Sequence, residues 1–388
     1  MRLMTTLLLL LGLVSGYTAL AQSASAHDEV NAVLEKVRSH KFHPADGGFT
    51  KDRYLGDDGV ASLDAEDWRV RLEAIRDLVR IGEEAVPALR EALSDENPEV
   101  GQVATYVLGL LGGGEVVDDL MERLREDSHP IVRSDAAIAL GRIGDKKALP
   151  LLKDLKENED QRDVRHQAGL AAYRVENGLG EQAPARQAYE NLDLDVYGQA
   201  EVGKPAPPFS LRDTDGNEWK LADYLGEKPV VLIWIFADWC PVCHNEFHDL
   251  IRLEEEYKEA GIEVVTLEMH DRFRCRVMVG DEVQPQYWFA RAPQRRYPEG
   301  LWWRHLVDLA GQVGVQYGVQ PMAFAVHAEY INRPATVVID KEGIVRMAYY
   351  GTYWGDRPSI EETLDIVVNE DYDYAHPERL KPAAGEQP

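Results

Sequence analysis

The residues best equipped for chemistry are Cys240-Pro241-Val242-Cys243, two thiols separated by two residues. They follow a continuously apolar run, Val230-Val231-Leu232-Ile233-Trp234-Ile235-Phe236, and open a segment with helical periodicity. Such a run predicts a strand buried on both faces of a parallel sheet. With Cys240 at the start of the helix, unpaired backbone N–H groups and the positive helix end favour its thiolate near neutral pH. The spacing brings Cys243 round one turn later, within reach of a small disulfide. Pro241 suits its place because the first helical turn needs no N–H donor. The expected chemistry is thiol–disulfide exchange, in which Cys240 attacks a substrate disulfide and Cys243 resolves the mixed disulfide.

The same residues admit other chemistry. Cys240-Pro241-Val242-Cys243-His244 is also a c-type haem attachment pattern, with Met278 or Met322 as nominal axial ligands. A buried strand immediately before the motif suits a thiol site better, and no cofactor is expected. His244 and His248, four apart on one helix, could join the cysteines in a Cys₂His₂ site. Helical geometry instead points both imidazoles along the side of the helix while Cys240 lies at its tip. They are expected to face solvent or to tune the local pKa, and no metal site is expected.

The elements that must position the thiols are short and alternate. Beyond Cys243 an amphipathic helix turns Phe247, Leu250, Ile251 and Tyr257 inward and closes at Gly261. Strand patterns follow at Ile262 to Leu267 and Ala335 to Ile339, then a Lys341-Glu342-Gly343 turn and an antiparallel partner, Ile344 to Tyr349. This half resembles the thioredoxin fold, and more narrowly the redoxin (AhpC/TSA) group that includes secreted TlpA- and ResA-like thiol-disulfide oxidoreductases. The likeness rests on VGKPAPPFSL at 202–211, FADWCPVC at 236–243 and RPATVVIDKEG at 333–343, and covers about residues 201–370. It implies an α/β domain whose site comprises Cys240, Cys243, Trp239, Pro241 and Pro334, with Pro334 in a cis bond against the active sulfur. Its implied partners are protein thiols or disulfides and an electron donor.

Two departures from that family stand out. Trp234 occupies the place where many thioredoxins carry a buried acid, so proton transfer from Cys243 falls to Glu246, Asp238 or water. The turn is also similar to that of peroxiredoxins, whose peroxidatic cysteine aligns with Cys243 and whose preceding threonine aligns with Cys240. Peroxiredoxins usually carry arginine where Pro334 stands and proline where Phe236 stands. Both differences favour exchange on protein disulfides, with a thiol peroxidase as the alternative and a non-enzymatic interaction scaffold as a third reading.

The first half is organised differently. Val70, Val100, Val132 and Val164 recur at 30 to 32 residues, each followed four positions on by Ala74, Ala104, Ala136 or Ala168, then by Leu78, Leu108, Leu140 or Ala172. That spacing is one helix face. Shorter helices are marked between them by Val86-Pro87-Ala88-Leu89, Val117-Asp118-Asp119-Leu120 and Leu149-Pro150-Leu151-Leu152. With Asn97-Pro98-Glu99-Val100 and His129-Pro130-Ile131-Val132 as opening turns, residues 67–178 resemble HEAT-like repeats, in the short form of bilin-lyase-type proteins. The resemblance implies an all-α solenoid, either a docking surface for a protein partner or a rigid spacer.

Composition sets outer limits. The chain has 388 residues, room for two or three domains, and 42 Lys+Arg against 68 Asp+Glu give a net charge of −26. So acidic a surface repels phosphate backbones, which argues against nucleic-acid binding. Three cysteines are too few for a disulfide scaffold. Residues 1–26, with Arg2, the apolar Leu7 to Val14 and small residues before the cut, read as a secretory signal too short to remain as a spanning helix. The mature protein is then expected to be secreted or periplasmic, without membrane insertion. The expected order is an N-terminal segment 27–66, repeats 67–180, a linker 181–200, the redoxin domain 201–371 and a disordered tail 372–388. Residues 270–331 read as an insertion, with seven arginines between 272 and 304 and the aromatics Tyr287, Trp288, Phe289, Trp302 and Trp303. It is either a substrate lid or packing that pairs its arginines with the acidic repeats. Cys275, inside it, is expected to be a buried core residue.

Overall fold

The computed structural model describes residues 25–40, 65–280, 297–298, 300–319, 321–324, 329–351 and 357–374. Most of the stretch read as a secretory signal, all of 375–388, and Tyr287, Trp288, Phe289, Arg291, Arg295 and Arg296 lie outside them. No helix among the described residues is long and apolar enough to cross a membrane. The chain divides into a helical unit and a mixed α/β unit, with the break at Asn191/Leu192.

In the helical unit, residues 25–37 form a first helix, α1. Long helices α2 (Ala65–Ile81), α4 (Pro98–Leu111), α6 (Pro130–Ile143) and α8 (Arg162–Asn177) alternate with shorter α3 (Val86–Ala92), α5 (Val117–Glu126) and α7 (Leu149–Asn158). The repeat positions fill the core: Val100, Val132, Val164 and all four alanines are buried, whereas Val70 stays half-exposed. Small residues set the helix spacing. A Cβ on Gly109 would stand 2.5 Å from the Cβ and 2.8 Å from the Cα of Ala139, so α4 and α6 touch nearly backbone to backbone. Gly109→Val is accordingly expected to destabilise the helical unit by about 1–3 kcal/mol through overpacking. Urea unfolding followed by far-ultraviolet circular dichroism would show this as a lowered midpoint, and an unchanged midpoint would refute the close contact.

The stretch expected as a linker, 181–200, is not one. Gln182–Glu190 forms a further helix, α9, that buries Ala185 and Tyr189. Its Gln182 amide donates to the Gly109 and Gly112 carbonyls, and the Tyr189 and Tyr106 hydroxyls meet at 2.9 Å. Pro184 did not prevent the helix because it lies in the first turn, where its missing N–H has no intrahelical partner.

The second unit is a seven-stranded mixed sheet in the order β2-β1-β5-β4-β3-β8-β9. Its strands are β1 (Ser210–Asp213), β2 (Glu218–Lys220), β3 (Val230–Trp234), β4 (Glu263–Glu268), β5 (Arg304–Val307), β8 (Ala335–Ile339) and β9 (Val345–Tyr350), while β6 (Pro321–Phe324) and β7 (Glu329–Asn332) form a separate hairpin. Central β3 is buried along its whole length, parallel to β4 and antiparallel to β8. Helices α10 (Pro241–Arg252), α11 (Glu254–Glu259), α12 (Arg272–Met278), α13 (Gln312–Gln316) and α14 (Ile360–Asn369) complete the unit. Trp234, Tyr317, Val265, Leu306 and Val337 lie in one core cluster.

The expected insertion at 270–331 needs correction too. Its residues 304–307 are β5, which pairs parallel with β4 and antiparallel with β1 inside the main sheet. Arg304 and His305 hid this strand, because a polar pair at its start breaks the apolar pattern of an inner strand. Each is satisfied locally: Arg304 donates to Asp213 at 2.6 Å and His305 faces Glu268 at 3.1 Å. The other described arginines of this stretch also find partners within their own unit. Arg272 donates to the Thr214 carbonyl, Arg276 lies 4.0 Å from Asp215, and Arg274 pairs with Asp238. Trp302 donates to the Leu250 carbonyl and Trp303 to Thr266 Oγ1. Cys275 is buried, as expected of a core residue.

Candidate active site

Strand β3 ends at Trp234, and six residues later the chain enters α10 with Cys240 as its N-cap, Pro241 as first residue and Cys243 as third. The helix turns Phe247 and Leu250 into the core, breaks at Leu253 and resumes as α11, which ends before Gly261 at φ +67°. Trp239 packs edge-on to Phe236, with ring centroids 5.7 Å apart. Pro241 is exposed at the tip, yet both sulfurs are fully buried.

The surroundings of the two sulfurs differ. Cys243 Sγ accepts the Phe236 N–H at 3.2 Å and faces the Arg357 guanidinium at 3.7 Å. Arg357 is itself held by Glu246, through Nε at 2.6 Å and through Nη2, and by the Trp234 carbonyl through Nη1. Burial pushes the Cys243 thiol up, but the Cys240 S–H, Arg357 and the Phe236 N–H outweigh it and leave it below an ordinary thiol. Burial pushes the Cys240 thiol well above its ordinary value, and its hydrogen bond to Cys243 adds to that. Both cysteines stand at the helix start as expected, but the environment favours ionising Cys243 rather than Cys240. A proton shared between adjacent sulfurs goes to the one farther from the cation.

The remaining expected site residues divide. Glu246 is present, but as the counter-ion of Arg357 rather than as a free proton carrier, and Asp238 is likewise engaged by Arg274. Pro334 precedes β8, and the register sets Ala335 opposite Trp234, which places Pro334 one step beyond the end of β3. The expected cis bond is absent, because no described peptide bond is cis. Both prolyl isomers are cheap enough that the motif alone does not choose between them. His244 is not solvent-facing: it is buried, with Nδ1 2.6 Å from the Tyr297 hydroxyl and Nε2 2.7 Å from the Asp238 carbonyl. His248 is exposed beside the Tyr297 ring. As for the haem pattern, both sulfurs are enclosed and one faces a guanidinium, an arrangement unlike a porphyrin edge.

Sequence reasoning missed Arg357. Its local signal was Arg357-Pro358-Ser359 followed by Glu362: a proline beside a capping box that fixes the start of α14. Nothing in the sequence pairs residue 357 with residue 246, and only the fold brings them together.

A mixed sheet with a C-x-x-C at the tip of a helix leaving its central strand defines a thioredoxin-like redoxin domain. Residues 202–348 match the AhpC/TSA family, and residues 60–140 and 104–172 match HEAT repeats. The chain belongs to the AhpC/TSA family, with HEAT repeats ahead of the redoxin domain. It is 30% identical over 174 residues to a chloroplastic peroxiredoxin Q of Triticum aestivum, covering 45% of this chain and 70% of that one. It is 30% identical over 166 residues to the thiol-disulfide oxidoreductase ResA of Geobacillus kaustophilus, covering 43% of this chain and 78% of that one.

Proposed function

We propose that this chain is a thiol peroxidase in which Cys243 is the attacking thiolate and Cys240 the resolving thiol. The observation that carries the reading is the Arg357 guanidinium facing Cys243 Sγ at 3.7 Å, in a site where both sulfurs are buried. A protein disulfide must meet an accessible sulfur, and neither sulfur here is accessible. The Cys243 thiolate attacks the distal peroxide oxygen, the O–O bond breaks, and the leaving alkoxide or hydroxide takes a proton. Cys243 becomes a sulfenic acid. The Cys240 sulfur displaces its oxygen as water and closes the Cys240–Cys243 disulfide. An external dithiol returns two electrons and two protons. The arginine that peroxiredoxins usually carry at the place of Pro334 is supplied here by Arg357, from the segment before α14.

Disulfide exchange on proteins is the second reading, favoured by the exposed Pro241 and half-exposed Val242 at the tip of the turn. The two readings differ in the essential sulfur. Cys243→Ser is expected to abolish hydroperoxide consumption, and Cys240→Ser to leave a single turnover that stalls at a sulfenic acid trapped by dimedone. Insulin reduction that needs Cys240, without consumption of hydroperoxide, would instead establish exchange. We also propose export, on Arg2 and the apolar Leu7 to Val14. N-terminal sequencing of the mature chain, expected to begin after Ala21 or Ala26, tests it.

A further inference from the structure

Besides the two thiols at the helix tip, the domain buries a second set of reactive side chains: Glu268 at the end of β4, Cys275 on α12 and His305 on β5. Glu268 and Cys275 are fully buried and His305 is 2% exposed. One donor atom from each of the three lies within 4.8 Å of the others. Glu268 Oε2 stands 3.1 Å from His305 Nε2, while its Oε1 lies 2.6 Å from His270 Nδ1. We infer that Glu268, Cys275 and His305 form a binding site for a divalent transition-metal ion of zinc-like preference, separate from the Cys240–Cys243 site.

Three arguments carry this. The donor set is one carboxylate, one thiolate and one imidazole, the mixed O, S and N ligation that a borderline-soft dication accepts and that calcium or magnesium does not. The spacing is close: bonds of about 2.0–2.3 Å in a tetrahedron set the ligand atoms about 3.5 Å apart, so a contraction on the order of 1 Å closes the site. Charge also balances. Asp238 is neutralised by Arg274, which leaves Glu268 as a carboxylate among buried neighbours. A dication with Glu268 and the Cys275 thiolate reaches neutrality, and the thiol, which donates to the His270 carbonyl at 3.6 Å in the metal-free chain, releases its proton on binding.

The outer contacts are those a ligand histidine needs. His305 Nδ1 meets Thr266 Oγ1 at 2.8 Å, and that oxygen accepts the Trp303 indole N–H at 3.1 Å. The threonine hydroxyl can accept from Nδ1 as well as donate to it, so the Nε2 proton now given to the Glu268 carboxylate can move to Nδ1 when a metal takes Nε2. The ion would tie β4, α12 and β5 together. The ligands are 7 and 30 residues apart, which matches no short metal-binding spacing and explains why the sequence does not announce them.

Cobalt(II) is the probe, added to the full-length, chelator-stripped, reduced chain. The Cys240→Ser/Cys243→Ser variant retains Cys275 alone of the three thiols. It is expected to bind one cobalt per chain and to show a thiolate-to-cobalt charge-transfer band, and adding Cys275→Ser should remove that band. Should Cys275→Ser impair folding, the Cys240→Ser/Cys243→Ser variant still decides. Its single thiol should alkylate at least tenfold more slowly with zinc present, at a temperature where the metal-free chain reacts. A band that requires Cys240 or Cys243, no band at all, or equal alkylation rates with and without zinc would overturn the site.

Discussion

Arg357→Gln is expected to slow the Cys243-dependent reaction roughly 100-fold at neutral pH, the scale on which a preorganised charge beside a developing anion acts. The guanidinium faces Cys243 Sγ and stays protonated throughout the accessible pH range. Removing it takes away one of the influences that hold the Cys243 thiol below its ordinary range, while the burial opposing them remains. The sign follows directly. In the parent chain the thiolate persists to lower pH than in a free cysteine, so alkylation of Cys243 rises early as pH increases. In Arg357→Gln the same rise moves to higher pH. Iodoacetamide rates against pH, read in a Cys240→Ser and Cys275→Ser background, measure the displacement. Arg357→Lys retains a charge without the fork that Glu246 and the Trp234 carbonyl hold, so an intermediate curve is expected. A curve unchanged in Arg357→Gln would remove the argument for Cys243 as the attacking sulfur.

How much of this site the sequence announces depends on how local each interaction is. The C-x-x-C, the apolar strand ahead of it and the helix behind it are contiguous, and their pattern specifies the turn that holds them. Strand β8 likewise matches its expected bounds, Ala335 to Ile339, because apolar β-branched residues between Pro334 and the Lys341-Glu342-Gly343 turn leave little choice. Strand β5 escaped notice because its polar residues are satisfied by Asp213 and Glu268, groups far away in sequence. Helix α9 escaped because Pro184 reads as a breaker unless the first turn is located. The preference between the sulfurs is not legible in the sequence for a physical reason. A helix start favours an anion at either cysteine, and the tie is broken by a cation 114 residues from Cys243 and by burial that only the folded chain reveals.

Glu246→Ala is expected to separate stability from reactivity, because the carboxylate acts on Arg357 and on Cys243 in opposite senses. Glu246 and Arg357 form a nearly dry pair, with side-chain exposures of 12% and 2%. Removing one member of such a pair leaves an uncompensated buried charge and costs about 3–5 kcal/mol. The Trp234 carbonyl still accepts from Arg357, which argues for the lower end of that range. Glu246 also raises the Cys243 pKa by its negative charge, so its loss favours the thiolate further. The variant should therefore unfold at lower urea while its Cys243 alkylation curve shifts to lower pH, opposite to Arg357→Gln. The double variant Glu246→Gln/Arg357→Gln removes both charges, and should recover most of the stability while leaving the thiol unactivated. If Glu246→Ala loses stability and also moves the alkylation curve upward, the carboxylate acts chiefly by holding Arg357 in place. The guanidinium's position, more than its charge, would then govern the sulfur.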